Sequence, residues 1–233
     1  CFARTAAFSP NGADTKIRFR LAEYDPNGRK MEEKGINRYS LSTSDLNNLN
    51  PEKIKNNPKI CWDYKRYLNI WIVENMGNSV STPHYILNTA DLNQIQGVSF
   101  EQLSLEEIEK QEYSLTDIGL IYGARDFAIE DVGYPTQMGK FFGLLDTENQ
   151  KEDYCEDTFA YNTYKEPWNT ALEGSNSRLK ISTDGLIFYS VNIMDASSYK
   201  NTISMDQVKR IRTITDNCPH RWAWKSDWAF TGK

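Results

Sequence analysis

Histidine is nearly absent: His84 and His220 are the only two among 233 residues. A three-histidine metal site therefore cannot be assembled within the chain. Neither histidine has a flanking catalytic motif, and no G-x-S-x-G elbow occurs, so each reads as a hydrogen-bonded loop or surface residue. Cysteine is sparse as well. Cys1, Cys61, Cys155 and Cys218 contain no C-x-x-C pair, which leaves a zinc ribbon or a thioredoxin-like site without support. Long hydrophobic runs are missing, since residues 70–73 and 185–189 fall far short of the ~20 needed to span a bilayer. Nor is there an excess of positive charge: 27 basic residues face 32 acidic ones, interspersed, for a net charge of −5. That balance excludes a phosphate-neutralising stripe and, with it, a nucleic-acid partner.

What is present suits one compact chain with a sizeable core, and the element pattern reads as α+β. Residues 16–21 alternate polar and apolar, as a half-buried strand does. Residues 66–74 form the strongest strand candidate: Leu68, Ile70 and Ile72 share one face, and Tyr67, Trp71 and Val73 the other. Apolar groups on both faces predict a central strand. Residues 85–87 and 117–122 are further strand candidates, and residues 103–113 predict a short amphipathic helix. In residues 136–146, Met138, Phe141, Phe142 and Leu145 recur at helical spacing, with Pro135 suited to the first turn and Gly143 to a sharp exit. Ser204 and Gln207 stand at capping-box spacing before Val208, Ile211 and Ile214, which predicts a last helix.

One segment carries more than structure. Thr136-Gln137-Met138-Gly139-Lys140-Phe141-Phe142-Gly143-Leu144-Leu145-Asp146 resembles the zinc-protease frame H-E-x-G-H-x-x-G-L-x-H, with Gly139, Gly143 and Leu144 kept and the chemistry replaced. Other segments fall in the same order as in the pappalysin-like branch of the metzincins, found in bacterial secreted or lipid-anchored metalloproteases. Residues 17–22, Asp25-Pro26-Asn27-Gly28 and Gly35-Ile36-Asn37-Arg38 resemble its early strand and G-I-x-R sequence. Residues 67–73 resemble its central strand, and residues 153–158 its D-x-V-x-D-T loop. Asn192-Ile193-Met194-Asp195 resembles its Met-turn, and residues 205–212 its closing helix.

The resemblance implies a metzincin-like domain: a twisted mixed sheet, an active-site-type helix, a turn at Met194 and a C-terminal helix. It divides the chain into an N-terminal subdomain, residues 1–146, lacking the family's first strand and helix, and a C-terminal subdomain, residues 147–233. It also implies a pseudoenzyme. Thr136, Lys140 and Asp146 stand where three zinc-binding histidines would be, and Gln137 stands where the general-base Glu would be. Lys140 brings a positive charge to the cation's place, and an amide cannot take the proton of a metal-bound water. Ala196 replaces a tyrosine that would steady the oxyanion. Zinc is thus not expected, and no catalytic residue is assigned. Lys140 and Asp146 have two readings: an ion pair replacing the metal as a tie, or two solvent-facing side chains.

Asp153, Asp157 and Thr158 match positions that hold a structural calcium in the family. The competing reading is an Asp/Thr turn held by its own hydrogen bonds. Cys155 and Cys218 are either a disulfide, in an oxidising compartment, or buried free thiols. Cys1 reads as the end of a family helix, with any lipid anchor upstream, or as a mature lipidated N-terminus. Trp168, Trp222, Trp224 and Trp228 suggest a glycan platform, against the commoner outcome of packing. The expected function is a non-catalytic extracytoplasmic protein, secreted or at the cell surface, that binds a peptide or protein partner. The alternatives are an active peptidase with unconventional metal ligands and a glycan-binding surface protein.

Overall fold

The computed structural model describes residues 12–42, 50–74, 76–89, 95–128, 133–148, 152–161, 179–196, 200–227 and 229. Cys1, Trp168 and Trp228 therefore lie outside the described residues. The architecture is α+β. Its centre is a parallel pair, β1 (Asn69–Val73) and β4 (Gly119–Gly123), aligned from Asn69 opposite Gly119 to Val73 opposite Gly123. The alternation of β1 sends Trp71 and Val73, with Ile121 of β4, into one cluster with Ile54, Leu115 and Ile118. Leu120 and Tyr122 point to the opposite face, into a second cluster with Phe141, Phe142, Met194, Val208 and Ile211. Only β4 is buried on both faces. Strand β1 buries Trp71 and Val73 but leaves Ile70 and Ile72 about half exposed, so the expectation of a central strand covered on each side is not met for it among the described residues.

Between these strands come β2 (Tyr85–Leu87) and β3 (Glu101–Leu103), also parallel. They are followed by the short helices α2 (Leu105–Lys110) and α3 (Leu115–Ile118), and α1 (Pro51–Lys55) precedes β1. Ser104 and Glu107 form a reciprocal capping box on α2, which is why that helix begins two residues later than its apolar pattern. The chain at Ser79 makes an antiparallel bridge to Ile121 on the edge of β4 away from β1, through two backbone bonds of 2.8 and 2.9 Å. After β4 come α4 (Ala124–Ala128) and α5 (Gly133–Phe141), then the antiparallel hairpin β5 (Leu179–Ile181) and β6 (Ile187–Tyr189). The last helix, α6 (Met205–Asn217), runs into a 3-10 helix, Pro219–Lys225.

Two expectations need correction. The described strands form three separate two-stranded sheets rather than one mixed sheet. Residues 16–21 form no strand. Lys16 adopts a left-handed φ of 62°, its N–H bonds the Asp14 carboxylate at 2.8 Å, and Arg18 grips the same carboxylate at 3.1 and 3.0 Å. A local Asp14-centred turn has won over the strand pattern. No helix among the described residues is long and apolar enough to cross a membrane.

Candidate functional site

Helix α5 places Thr136 and Lys140 one turn apart on one face. The helix ends in a Schellman turn: Gly143 N–H bonds Lys140 O at 2.8 Å, and Leu144 N–H bonds Gly139 O at 2.9 Å. Gly143, at φ +83°, supplies the left-handed residue, and a Cβ there would sit 2.8 Å from Ile214 of α6. This turn brings Asp146 back beneath the helix, where its Oδ2 accepts from Lys140 Nζ at 2.9 Å. Of the two readings of Lys140 and Asp146, the ion pair is the one observed. Both side chains are mostly buried, so the pair is less screened than a surface pair would be.

Met194 packs against the same helix at Gly139. A Cβ on Gly139 would meet Met194 Sδ at 2.5 Å, so only glycine lets the methionine pack this close. Thr136 Oγ1 donates to Ile193 O at 2.6 Å and accepts from Lys200 Nζ at 2.6 Å. Thr136, Lys140 and Asp146 are therefore brought together over the Met194 turn, with Lys200 as a second ammonium. Gln137 is half-buried on the same helix.

The turn itself is wired to its surroundings. Asn192 Oδ1 accepts from Met194 N–H at 2.9 Å, and the amides of Asn192 and Gln207 exchange hydrogen bonds at 2.8 and 3.1 Å. Gln207 also closes the capping box of α6 with Ser204, so one side chain ties the helix start to the turn. The Asp195 carboxylate is buried and accepts from Thr147 Oγ1 at 2.5 Å and Ser190 Oγ at 2.7 Å; burial pushes its pKa up. Ala196 N–H donates to the hydroxyl of Tyr161 at 2.6 Å, and burial pushes that phenol up as well.

Among the described residues the candidate metal donors are engaged in contacts of their own. At the α5 site the one carboxylate is paired to an ammonium, and Thr136 is bonded on both its donor and acceptor sides. In the loop at 153–158, Asp153 accepts from Thr158 Oγ1 at 2.8 Å and Cys155 N–H at 3.2 Å. Asp157 turns away to α6, accepting from Ser204 Oγ at 2.5 Å and Asp206 N–H at 3.0 Å. The loop is held by its own hydrogen bonds and by a helix N-terminus, and calcium would have to displace them. Among the described residues, no three His, Cys, Asp or Glu side chains converge into a metal site.

Cys155 and Cys218 are free, buried thiols rather than a bridge. The reason is spatial. Asp157 anchors the Cys155 loop to the start of α6, whereas Cys218 follows its last residue. A helix of 13 residues is about 20 Å long, well beyond disulfide reach. Cys218 packs instead with Ile86, Ile95 and Ile214, and burial pushes both thiols up.

The remaining candidates lie apart from this cluster. His220 is buried, with the rings of Tyr64, Tyr85 and Tyr113 edge-on at 5.2, 5.8 and 5.4 Å. Desolvation, aided by the Arg221 charge, lowers its pKa to about 4. His84 is exposed and meets the Tyr85 ring edge-on at 4.5 Å. The indoles of Trp222 and Trp224 donate to Asp216 O and Thr215 O at 3.2 Å each, and Lys225 Nζ lies 3.4 Å over the Trp222 ring. These rings close the C-terminus of α6, and a lysine occupies a face that a sugar would need. Sequence reasoning missed Lys200, Thr147, Tyr161 and Arg221. Arg221 is buried and donates to Phe141 O at 2.6 Å and to Ser81 O at 3.4 Å, pinning the end of α5 to the chain before β2. None of the four sits in a local motif, so no signal short of the fold could have found them.

A scan against protein-family models returns no match to this chain, and neither does a search of curated proteins.

Proposed function

We propose that this chain is a catalytically inactive, metzincin-like module of an extracytoplasmic protein, one that binds an extended peptide or protein segment. The observation that carries the reading is the Lys140–Asp146 pair. It falls where the sequence resemblance puts a metal, at a helix-and-turn junction resting on Met194. An ammonium there fills the cation's electrostatic role as a tie between helix and turn, but it can neither polarise a carbonyl as a Lewis acid nor activate water. Strand-type peptide binding uses backbone groups and outlives the loss of metal. The segment at Ser79, antiparallel on the outer edge of β4, is the strand we assign to it.

The test is metal binding and its recovery. The purified chain is expected to hold less than a tenth of an equivalent of zinc and to show no chelator-sensitive cleavage of casein. The quadruple variant Thr136→His, Gln137→Glu, Lys140→His, Asp146→His is expected to bind cobalt with the absorption of a tetrahedral site. Stoichiometric zinc with chelator-sensitive proteolysis in the natural chain would overturn the inactive reading. A quadruple variant that folds but takes no metal would overturn the metzincin frame.

A further inference from the structure

The 3-10 helix after α6, Pro219–Lys225, fastens its neighbours together. Arg221 donates from Nε to Phe141 O, at the end of α5, at 2.6 Å, and from its two terminal nitrogens to Asp117 O of α3 and to Ser81 O. Its guanidinium also lies 3.7 Å over the Phe141 ring. Trp222 and Trp224 cover the last carbonyls of α6. His220, beside Arg221, is 3% exposed and boxed by three rings: Tyr64 from the chain before β1, Tyr85 of β2, and Tyr113 from the chain between α2 and α3. Among the described residues its imidazole forms no hydrogen bond or ion pair.

We propose that His220 makes this helix an acid-sensitive latch: protonating its imidazole releases residues 219–225, and with them the end of α5, while the central strands stay paired. The box suits a neutral ring and has nothing to balance a charged one. Its three phenols stay neutral in acid, since burial pushes each of them up. The neighbour on the helix is a buried cation, Arg221, and Lys65 and His84 add to its field. The carboxylate in range, Asp117, already accepts from the N–H and hydroxyl of Ser114 at 2.8 and 2.9 Å and from the Ser81 hydroxyl at 2.8 Å. Opening the helix puts the imidazole in water, where its charged form is better solvated. The same opening breaks the three carbonyl bonds of Arg221, so the acid signal passes from the box to α5 through two adjacent residues. This inference is independent of the proposed function, since it does not depend on what the α5 site binds.

The test is amide hydrogen exchange of the full chain at pH 7.5 and pH 5, with and without urea below the unfolding transition. With the imidazole near pKa 4 in the closed helix and 6.5 in the open one, the open fraction rises about thirtyfold between these pH values. Exchange in residues 219–225, corrected for the intrinsic effect of pH, is expected to rise by that factor and to respond little to urea. Residues 119–123 are expected to exchange far more slowly and only with a steep dependence on urea, as global unfolding requires. His220→Phe and His220→Gln, two rings-or-amide replacements that cannot titrate, are each expected to remove the acid response of residues 219–225. A proton NMR titration of the natural chain, which needs neither variant to fold, is expected to show His220 still neutral at pH 5. Three results would overturn the proposal: an unchanged acid response in a folded variant, opening of residues 219–225 only together with residues 119–123, or an imidazole that titrates near 6.5 in the folded chain.

Discussion

Gly139 shows how much a single missing Cβ decides. Replacing glycine by alanine inside a helix ordinarily stabilises it by about 1 kcal/mol. Here the new methyl would meet Met194 Sδ at 2.5 Å, and Met194 is buried, with Ile193 and Leu144 also against the site. Overpacking of this kind costs about 1–3 kcal/mol, so the clash outweighs the propensity gain. Gly139→Ala is expected to lower unfolding free energy by about 1 kcal/mol in urea titrations. In a Met194→Ala background the same substitution is expected to stabilise, because only the propensity remains. A loss of equal size in both backgrounds would mean that the methionine does not support this helix. Glycine at 139 stood out in the sequence only through a resemblance to a protease motif. Its physical reason did not, because Met194 is 55 residues further along the chain.

Helix α6 was the most legible element, since its capping box and buried stripe are both local. Ser204 accepts from Gln207 N–H, and Val208, Ile211 and Ile214 are buried as their spacing predicts. What the sequence hid is the second cap. Asp157, placed by the resemblance in a calcium loop, accepts from Ser204 Oγ and from Asp206 N–H at the positive end of the helix. Ser204→Ala is expected to cost about 1 kcal/mol, and Asp157→Asn about the same. Since the two side chains touch, the double variant should lose less than the sum. Each loss should be the same in calcium and in a calcium chelator. A stability loss in Asp157→Asn that appears only with calcium would favour the metal reading of the loop. The segment at 16–21 misled for the converse reason. Its alternation is a true strand pattern, but a strand needs a neighbour, and the Asp14 turn satisfied the chain locally instead.

At the scale of the whole molecule, the buried polar groups set how the fold responds to acid. His220 joins the aromatic cluster on α1's side of the sheet and is held near pKa 4, against 6.5 when free. The unfolded chain takes up this proton as pH falls below about 6.5, while the folded chain resists until about 4. Stability from this residue is therefore complete above pH 6.5 and is lost as pH drops toward 4, by roughly 3 kcal/mol at most. Asp195 acts with the opposite sign. Its folded pKa is raised by burial, so acidification removes the cost of a buried charge instead of adding one. The two contributions oppose each other, and a variant at His220 separates them. His220→Phe keeps an aromatic ring among Tyr64, Tyr85 and Tyr113 but cannot be protonated. Urea unfolding of the natural chain at pH 7.5 and pH 5 should show a clear loss at the lower pH, about 2 kcal/mol from this residue. The variant should show that loss reduced or reversed, since the carboxyl contribution of Asp195 is then exposed. A natural chain and a variant with the same dependence on pH would place the acid sensitivity elsewhere, and the tyrosine cluster would be packing without a switch.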